Sequence, residues 1–438
     1  MSSCLRGLLL IALVGFVGCE AQKKSTGGSG SGSSNPGAAA TAAEPGKLSV
    51  GAETGQVDIR TSDGKPAPKK LITVLSADEI AADWLMLFDG DTLYGWEPSA
   101  PADWKVTPAG EITVSSGEKS LLCTTSDFGD FVFKCDFKAP PSTNSGIFLR
   151  TPLKPTDPAK DCYELNIAGP DVSPFSNGGF VGRQKATKYV DCAEWRTYEV
   201  TAEGGRFIVK IDGETVLDYT DPKPLGRGRI ALQHNSGPVS FRNIKVKPLG
   251  LKPIFDGKTL AGWKNHPESK SVYTVTPEGW INVKNGRGQL ESDAQFGDFI
   301  ARWDCFSNGK HLNSGMFFRC IPGEITLGYE CQIQNEFKDG DRMKPADYGT
   351  GGFYRRSPAR IVMSNDFTWF TQVLVVSGPH MACWVNGIQV SDWTDTRPPN
   401  ANPREGLRVE KGTLMLQGHD PTTDLNFRNL QAAELPAR

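Results

Sequence analysis

Beyond Trp84 the chain alternates apolar and polar residues with a period of two. In FVFKCDFK, Phe131, Phe133, Cys135 and Phe137 fall on one face, and Val132, Lys134, Asp136 and Lys138 on the other. In RFIVKIDGETVLDY, Phe207, Val209 and Ile211 share a face, and Asp212 with Gly213 then supplies a two-residue hairpin turn. Asn386 and Gly387 do the same later. Pro and Gly punctuate the chain at short intervals, and amphipathic helical runs are nearly absent. One short helix is predicted at Ser76–Asp83, where a Ser cap precedes acidic residues in the first turn. The pattern predicts an all-β protein built from antiparallel jelly-roll sandwiches.

The pattern occurs twice. LFDGDTLYGW (Leu87–Trp96) answers IFDGKTLAGW (Ile254–Trp263), and FGDF recurs at Phe128–Phe131 and Phe296–Phe299. NSGIFLR (Asn144–Arg150) answers NSGMFFR (Asn313–Arg319), and GGF occurs at Gly178–Phe180 and Gly351–Phe353. LQH before FRN (Leu232–Asn243) answers LQGH before FRN (Leu416–Asn429). Order and spacing are kept, which predicts a duplicated domain; the units are too long for a solenoid repeat. The expected boundaries are 84–249 for the first sandwich and 251–435 for the second.

Alternation also assigns candidate chemistry. In CYELNI, Glu164 and Asn166 point opposite to Tyr163, Leu165 and Ile167. In GYECQIQN, Glu330, Gln332 and Gln334 point opposite to Tyr329, Cys331 and Ile333. Polar groups buried without partners are costly, so that face is expected to be wet, paired or ligand-bound. The concave face of a jelly roll, where sugars dock, is the natural place. Arg150 and Arg319 end the preceding strand and are expected near Glu164 and Glu330, either facing the groove or only pinning two strands together. Asn144 and Asn313 begin the same strands. Two of the five His, His234 and His419, follow the repeated Leu-Gln. A histidine there can serve as a base or a metal ligand. The Gly-rich loops ending in Arg183 and Arg355 are expected to rim the groove.

Composition narrows the class. The net charge is −2 with signs mixed, and no basic stripe suggests nucleic acid. Residues 1–19 read as a lipoprotein signal: Arg6, an apolar run too short to span a bilayer, then Phe16-Val17-Gly18-Cys19. The expectation is an exported protein lipidated at Cys19 and anchored to a membrane, followed by a flexible Gly/Ser/Ala/Pro-rich tether over 20–75. Eight later cysteines fall four to each unit, but none lies opposite another in the repeat. A shared disulfide framework is therefore not expected, and the absence of CxxC spacing argues against a cysteine zinc site.

FDG-TL-GW, FGDF, NSG-F-R, YE-Q, Glu194-Trp195 with Thr368-Trp369, and LQ-H before FRN together resemble the 3-keto-disaccharide hydrolase family. That family is also described as the 3-keto-α-glucoside-1,2-lyase/3-keto-2-hydroxy-glucal hydratase domain. The resemblance implies two tandem concanavalin A-like jelly rolls and cleavage of glycosides oxidised at C3, in some members with a divalent metal. The C3 ketone acidifies the C2 proton, so the reaction needs a base, an enolate stabiliser and a leaving-group acid. Glu330 or His419 would be the base, and Arg319, or a metal held by Glu330, Gln332 and His419, would stabilise the enolate. Arg150, Glu164 and His234 offer the same roles in the first unit. The competing expectation is a lectin-like lipoprotein that binds sugar without cleaving it. A two-carboxylate glycosidase is disfavoured, because neither Glu164 nor Glu330 has an acidic partner within its strand.

Overall fold

Inward-facing phenylalanines and β-branched residues draw the strands into four antiparallel sheets that form two sandwiches. The structure is a computed structural model and describes residues 75–438; the signal segment, Cys19 and nearly all of the tether lie outside the described residues. The larger sheet of the first sandwich runs Glu214–Thr220, Arg206–Ile211, Arg196–Glu203, Phe131–Lys138, Val239–Pro248, Ile112–Val114, Lys105–Val106. The smaller runs Trp96–Pro98, Ser120–Thr124, Arg229–Ser236, Asn144–Thr151, Tyr163–Ala168. The second sandwich repeats both orders. Its smaller sheet runs Trp263–Asn265, Gly288–Phe296, Gly412–Gly418, Ser314–Cys320, Tyr329–Ile333.

The repeated motifs hold the corners. In FDG-TL-GW, Asp256 Oδ1 accepts from the backbone N–H of Lys258 and Thr259, both at 2.7 Å, and the Trp263 indole donates to the Ile254 carbonyl at 2.8 Å. Asp89 and Trp96 make the equivalent bonds in the first copy. In FRN, Arg242 and Asn243 both donate to Asp136, while Arg428 and Asn429 both donate to Asp304. These residues are joints of the sandwich.

The two larger sheets differ in what covers their outer faces. Phe131–Lys138 alternates buried and half-buried positions, whereas Trp369–Ser377 and His380–Val385 are buried at nearly every position. Alternate residues of the latter pair enter different cores. Phe370, Leu374, Met381 and Cys383 join the second sandwich's own core. Val373, Val375, Ala382 and Trp384 join the core of the first. The Trp384 ring meets Phe128 edge-on at 6.5 Å. The entering segment is laced between the two sandwiches. A helix at Ala77–Ala81, with Ser76 and Glu79 forming a capping box, leads to Leu85–Met86, which pairs with Val246 and Lys245. The Met86 N–H donates to Gly387 at 2.8 Å, and the Trp384 indole donates to the Met86 carbonyl at 2.9 Å. All eight later cysteines are free and buried.

Candidate functional site

The side chains that point out of the smaller sheet define a cavity in each sandwich. Tyr329, Cys331 and Ile333 enter the core, so Glu330 and Gln332 emerge on the other face. The strand pairs Phe317 with Glu330 and Gly315 with Gln332. The register is the same in the first sandwich, where Phe148 pairs with Glu164 and Gly146 with Asn166. The glycine of NSG is needed here. A Cβ on Gly315 would sit 3.0 Å from Glu330 Cγ and 3.1 Å from Oε1, so the small residue leaves room for that carboxyl; on Gly146 a Cβ would crowd the Leu165 carbonyl at 3.0 Å and Gln233 Oε1 at 3.3 Å.

In the second sandwich Glu330 is 5% exposed and lies in a cavity of about 340 Å³ with Gln332, Asn313, Arg355 and His419. Arg404 Nη2 donates to Glu330 Oε2 at 3.1 Å. The guanidinium is fixed by the Thr326 carbonyl at 2.9 Å and lies 5.0 Å from the centre of the Phe317 ring. Burial pushes the Glu330 carboxyl above the ordinary carboxylate range, and Arg404 opposes that push. Gln332 Nε2 donates to Asp347, and Asn313 Nδ2 donates to Asp347 Oδ2 at 2.6 Å. The Gln332 and Asn313 carbonyl oxygens and that of Gln417 are buried without a partner among the described residues. Asp347 and Tyr348 both hold positive φ, 39° and 70°, which costs L-residues energy and recurs at functional sites.

The other expected site residues fall in various places. Arg319 is not in the cavity, contrary to expectation. It is fully buried beneath the sheet, where Nε donates to Gly297, Nη1 to Gly378 and Arg408, and Nη2 to Asp298 at 2.9 Å. Arg150 does the same with Gly129, Gly204, Leu225 and Asp130. Both sit at positive φ, 48° at Arg319 and 51° at Arg150, which turns the side chain away from the cavity; neither hydrogen-bonds the glutamate. Arg183 also lies away from its cavity, pairing with Asp221 at 2.9 Å and covering the Tyr163 ring. Gln334 is turned to its own loop, where its Oε1 accepts from the Glu336 N–H. Asn144, Asn166, Glu164 and His234 line the first cavity.

The two histidines are not equivalent. Both Ser145 and Ser314 donate to the carbonyl of the repeated Gln, Gln233 and Gln417, which aligns Gly418 with His234. The extra glycine carries His419 one residue further, where it is half exposed and its Nδ1 lies 2.8 Å from Asp420 Oδ2. Among the described residues no three His, Cys, Asp or Glu side chains converge, and the expected Glu330, Gln332 and His419 set offers one carboxylate, one amide and one imidazole. The Glu330 carboxylate also already faces a guanidinium, which competes with a cation.

Arg404 and Asp347 were not legible as site residues. They come from segments 395–411 and 334–368, longer than their counterparts 221–228 and 169–195. Gln233 and Gln417 were marked by repetition alone.

The comparisons agree with this duplication. The family model of the 3-keto-alpha-glucoside-1,2-lyase-like domain matches residues 83–247 and again 250–432. No curated protein matches the chain. Among solved structures, a candidate glycosyl hydrolase from Parabacteroides distasonis is 22% identical, with a TM-score of 0.36, over 40% of this chain and 99% of that one. The carbohydrate-binding module CBM66 from Bacillus subtilis is 19% identical, with a TM-score of 0.28, over 34% of this chain and 94% of that one. A galectin-like protein of unknown function from Bacillus subtilis is 15% identical, with a TM-score of 0.29, over 43% and 97%. With two matches spanning most of its length, the chain belongs to the 3-keto-alpha-glucoside-1,2-lyase-like domain family and carries that domain twice.

Proposed function

We propose that the second cavity cleaves glycosides already oxidised to a ketone at C3. Family membership supports a carbohydrate-active role, and the observation that carries the finer reading is the buried Glu330 carboxyl held by Arg404. A C3 ketone makes the C2 proton acidic. Glu330, its carboxyl pushed above the ordinary carboxylate range by burial, takes that proton. The electron pair forms an enolate whose negative oxygen is stabilised by the Arg355 and Arg404 guanidiniums at the cavity wall. Collapse of the enolate breaks the C1–O bond, and His419 protonates the leaving oxygen. Water then adds at C1 and a proton returns to C2, so the net change is hydrolysis. Gln332 and Asn313, with their free carbonyl oxygens, accept from the sugar hydroxyls. No step uses a metal.

The test is cleavage of 3-ketotrehalose by Glu330→Gln. A neutral amide of the same shape cannot take the proton, so turnover is expected to fall about 10²–10⁴-fold with the fold retained. Wild-type turnover in this variant would sink the assignment. Sugar binding by the parent chain with no turnover of any 3-keto glycoside would favour the lectin-like reading.

A further inference from the structure

The first sandwich builds a different cavity from the same pair of strands. Among the described residues Glu164 meets no guanidinium; the Gln233 amide contacts its carboxyl, with Nε2 donating to Oε1 at 3.1 Å. The shorter segments 221–228 and 169–195 bring in no counterpart of Arg404 or Asp347. Beside Glu164 lie Leu121 and Phe148, which cluster with Cys123, Cys162 and Ala231 on the outer face of the sheet. The cavity is larger, about 610 Å³. Two of its buried polar atoms, Gln233 Oε1 and His234 Nδ1, have no partner among the described residues, and His234 is 4% exposed.

These features point to a ligand of mixed character. An unsatisfied buried acceptor is costly, and a hydroxyl donor removes that cost. The apolar floor gains by covering an apolar body. Lys119 and Lys154 also line this cavity, but neither pairs with the Glu164 carboxyl, so the arrangement of a cation set directly against the carboxyl, as Arg404 is against Glu330, is not repeated. We propose that the first cavity is a second, non-catalytic site for a glycoside with an apolar aglycone. The sugar hydroxyls donate to Gln233 Oε1 and His234 Nδ1, and the aglycone lies on Leu121 and Phe148. The non-catalytic part rests on the reading that Glu330 is the reacting carboxyl. Each cavity is lined by residues of its own sandwich, so the two sites hold separate sugar units.

The test is calorimetric titration of the full chain carrying Glu330→Gln with 4-nitrophenyl α-D-glucopyranoside and with methyl α-D-glucopyranoside. Neither carries a ketone, so binding is read without turnover. The aryl glucoside is expected to bind about tenfold or more tightly than the methyl glucoside, from the aromatic surface it buries. Adding Gln233→Leu is expected to weaken aryl binding about tenfold. Leu121→Asn leaves the hydrogen bonds and is expected to bring aryl affinity down to that of the methyl glucoside, which provides a second route if Gln233→Leu does not fold. Equal affinities for the two glucosides, or aryl binding unaltered in both variants, would overturn the proposal. Such a result leaves the second cavity untouched, because that reading stands on cleavage of a 3-keto substrate.

Discussion

Glu330 and Glu164 occupy the same register, yet their surroundings separate them. Both carboxyls are raised by burial, but Glu330 has Arg404 at 3.1 Å to favour its charge and Glu164 has only an amide. The sign for catalysis follows directly. A base works ionised, so kcat/KM should rise with pH through the Glu330 titration. Arg404 lowers that midpoint, so Arg404→Met should move the rising limb to higher pH as well as reduce the rate. A pH–rate profile with an unmoved limb would show that another group is the base. The choice of glutamate was legible from alternation alone. Its partner was not, because Arg404 lies 74 positions away and nothing in a period-two pattern marks a loop arginine.

At the scale of the element, the repeated NSG-F-R strand combines two roles that sequence pattern merges. In the second copy its glycine makes space for the cavity-facing Glu330, and its arginine anchors the strand end to the FGD turn from beneath. Alternation would carry Arg319 to the groove, but a positive φ of 48° at Arg319 breaks the period at that residue. Arg319→Met should therefore cost about 3–5 kcal/mol of stability, since three carbonyls lose a buried charged donor and Asp298 loses one of its two arginines. The protein that remains folded should keep its KM. Denaturant melts and steady-state kinetics check both halves; lost turnover at unchanged stability would return Arg319 to the site.

For the whole molecule, the second sandwich uses its larger sheet as a wall shared by two cores. Trp384 is the largest side chain crossing that wall, and its indole also holds the entering segment. Trp384→Ala should cost about 3–5 kcal/mol. The wild-type sandwiches should melt together in one calorimetric transition. Two resolved transitions in the unmodified chain would show that the shared core does not couple them. The placement has a functional consequence: with its larger sheet covered, the second sandwich leaves the smaller sheet and its cavity on the opposite side, open to substrate.

By itself the sequence determined the strands, their inward faces, the duplication and the emergence of Glu164, Asn166, Glu330 and Gln332 from the core. These are local matters of side-chain period, and a glutamate cannot enter a packed apolar core unpaired. Tertiary structure alone decided which charge meets Glu330, where Arg150 and Arg319 go, and that Val373, Val375 and Trp384 serve the neighbouring core. Each of those depends on chain segments brought together from a distance. The stretches WFTQVLVVS and HMACWV, apolar on both faces, carried a trace of the shared wall, but a run buried on two sides does not name the surface that covers it.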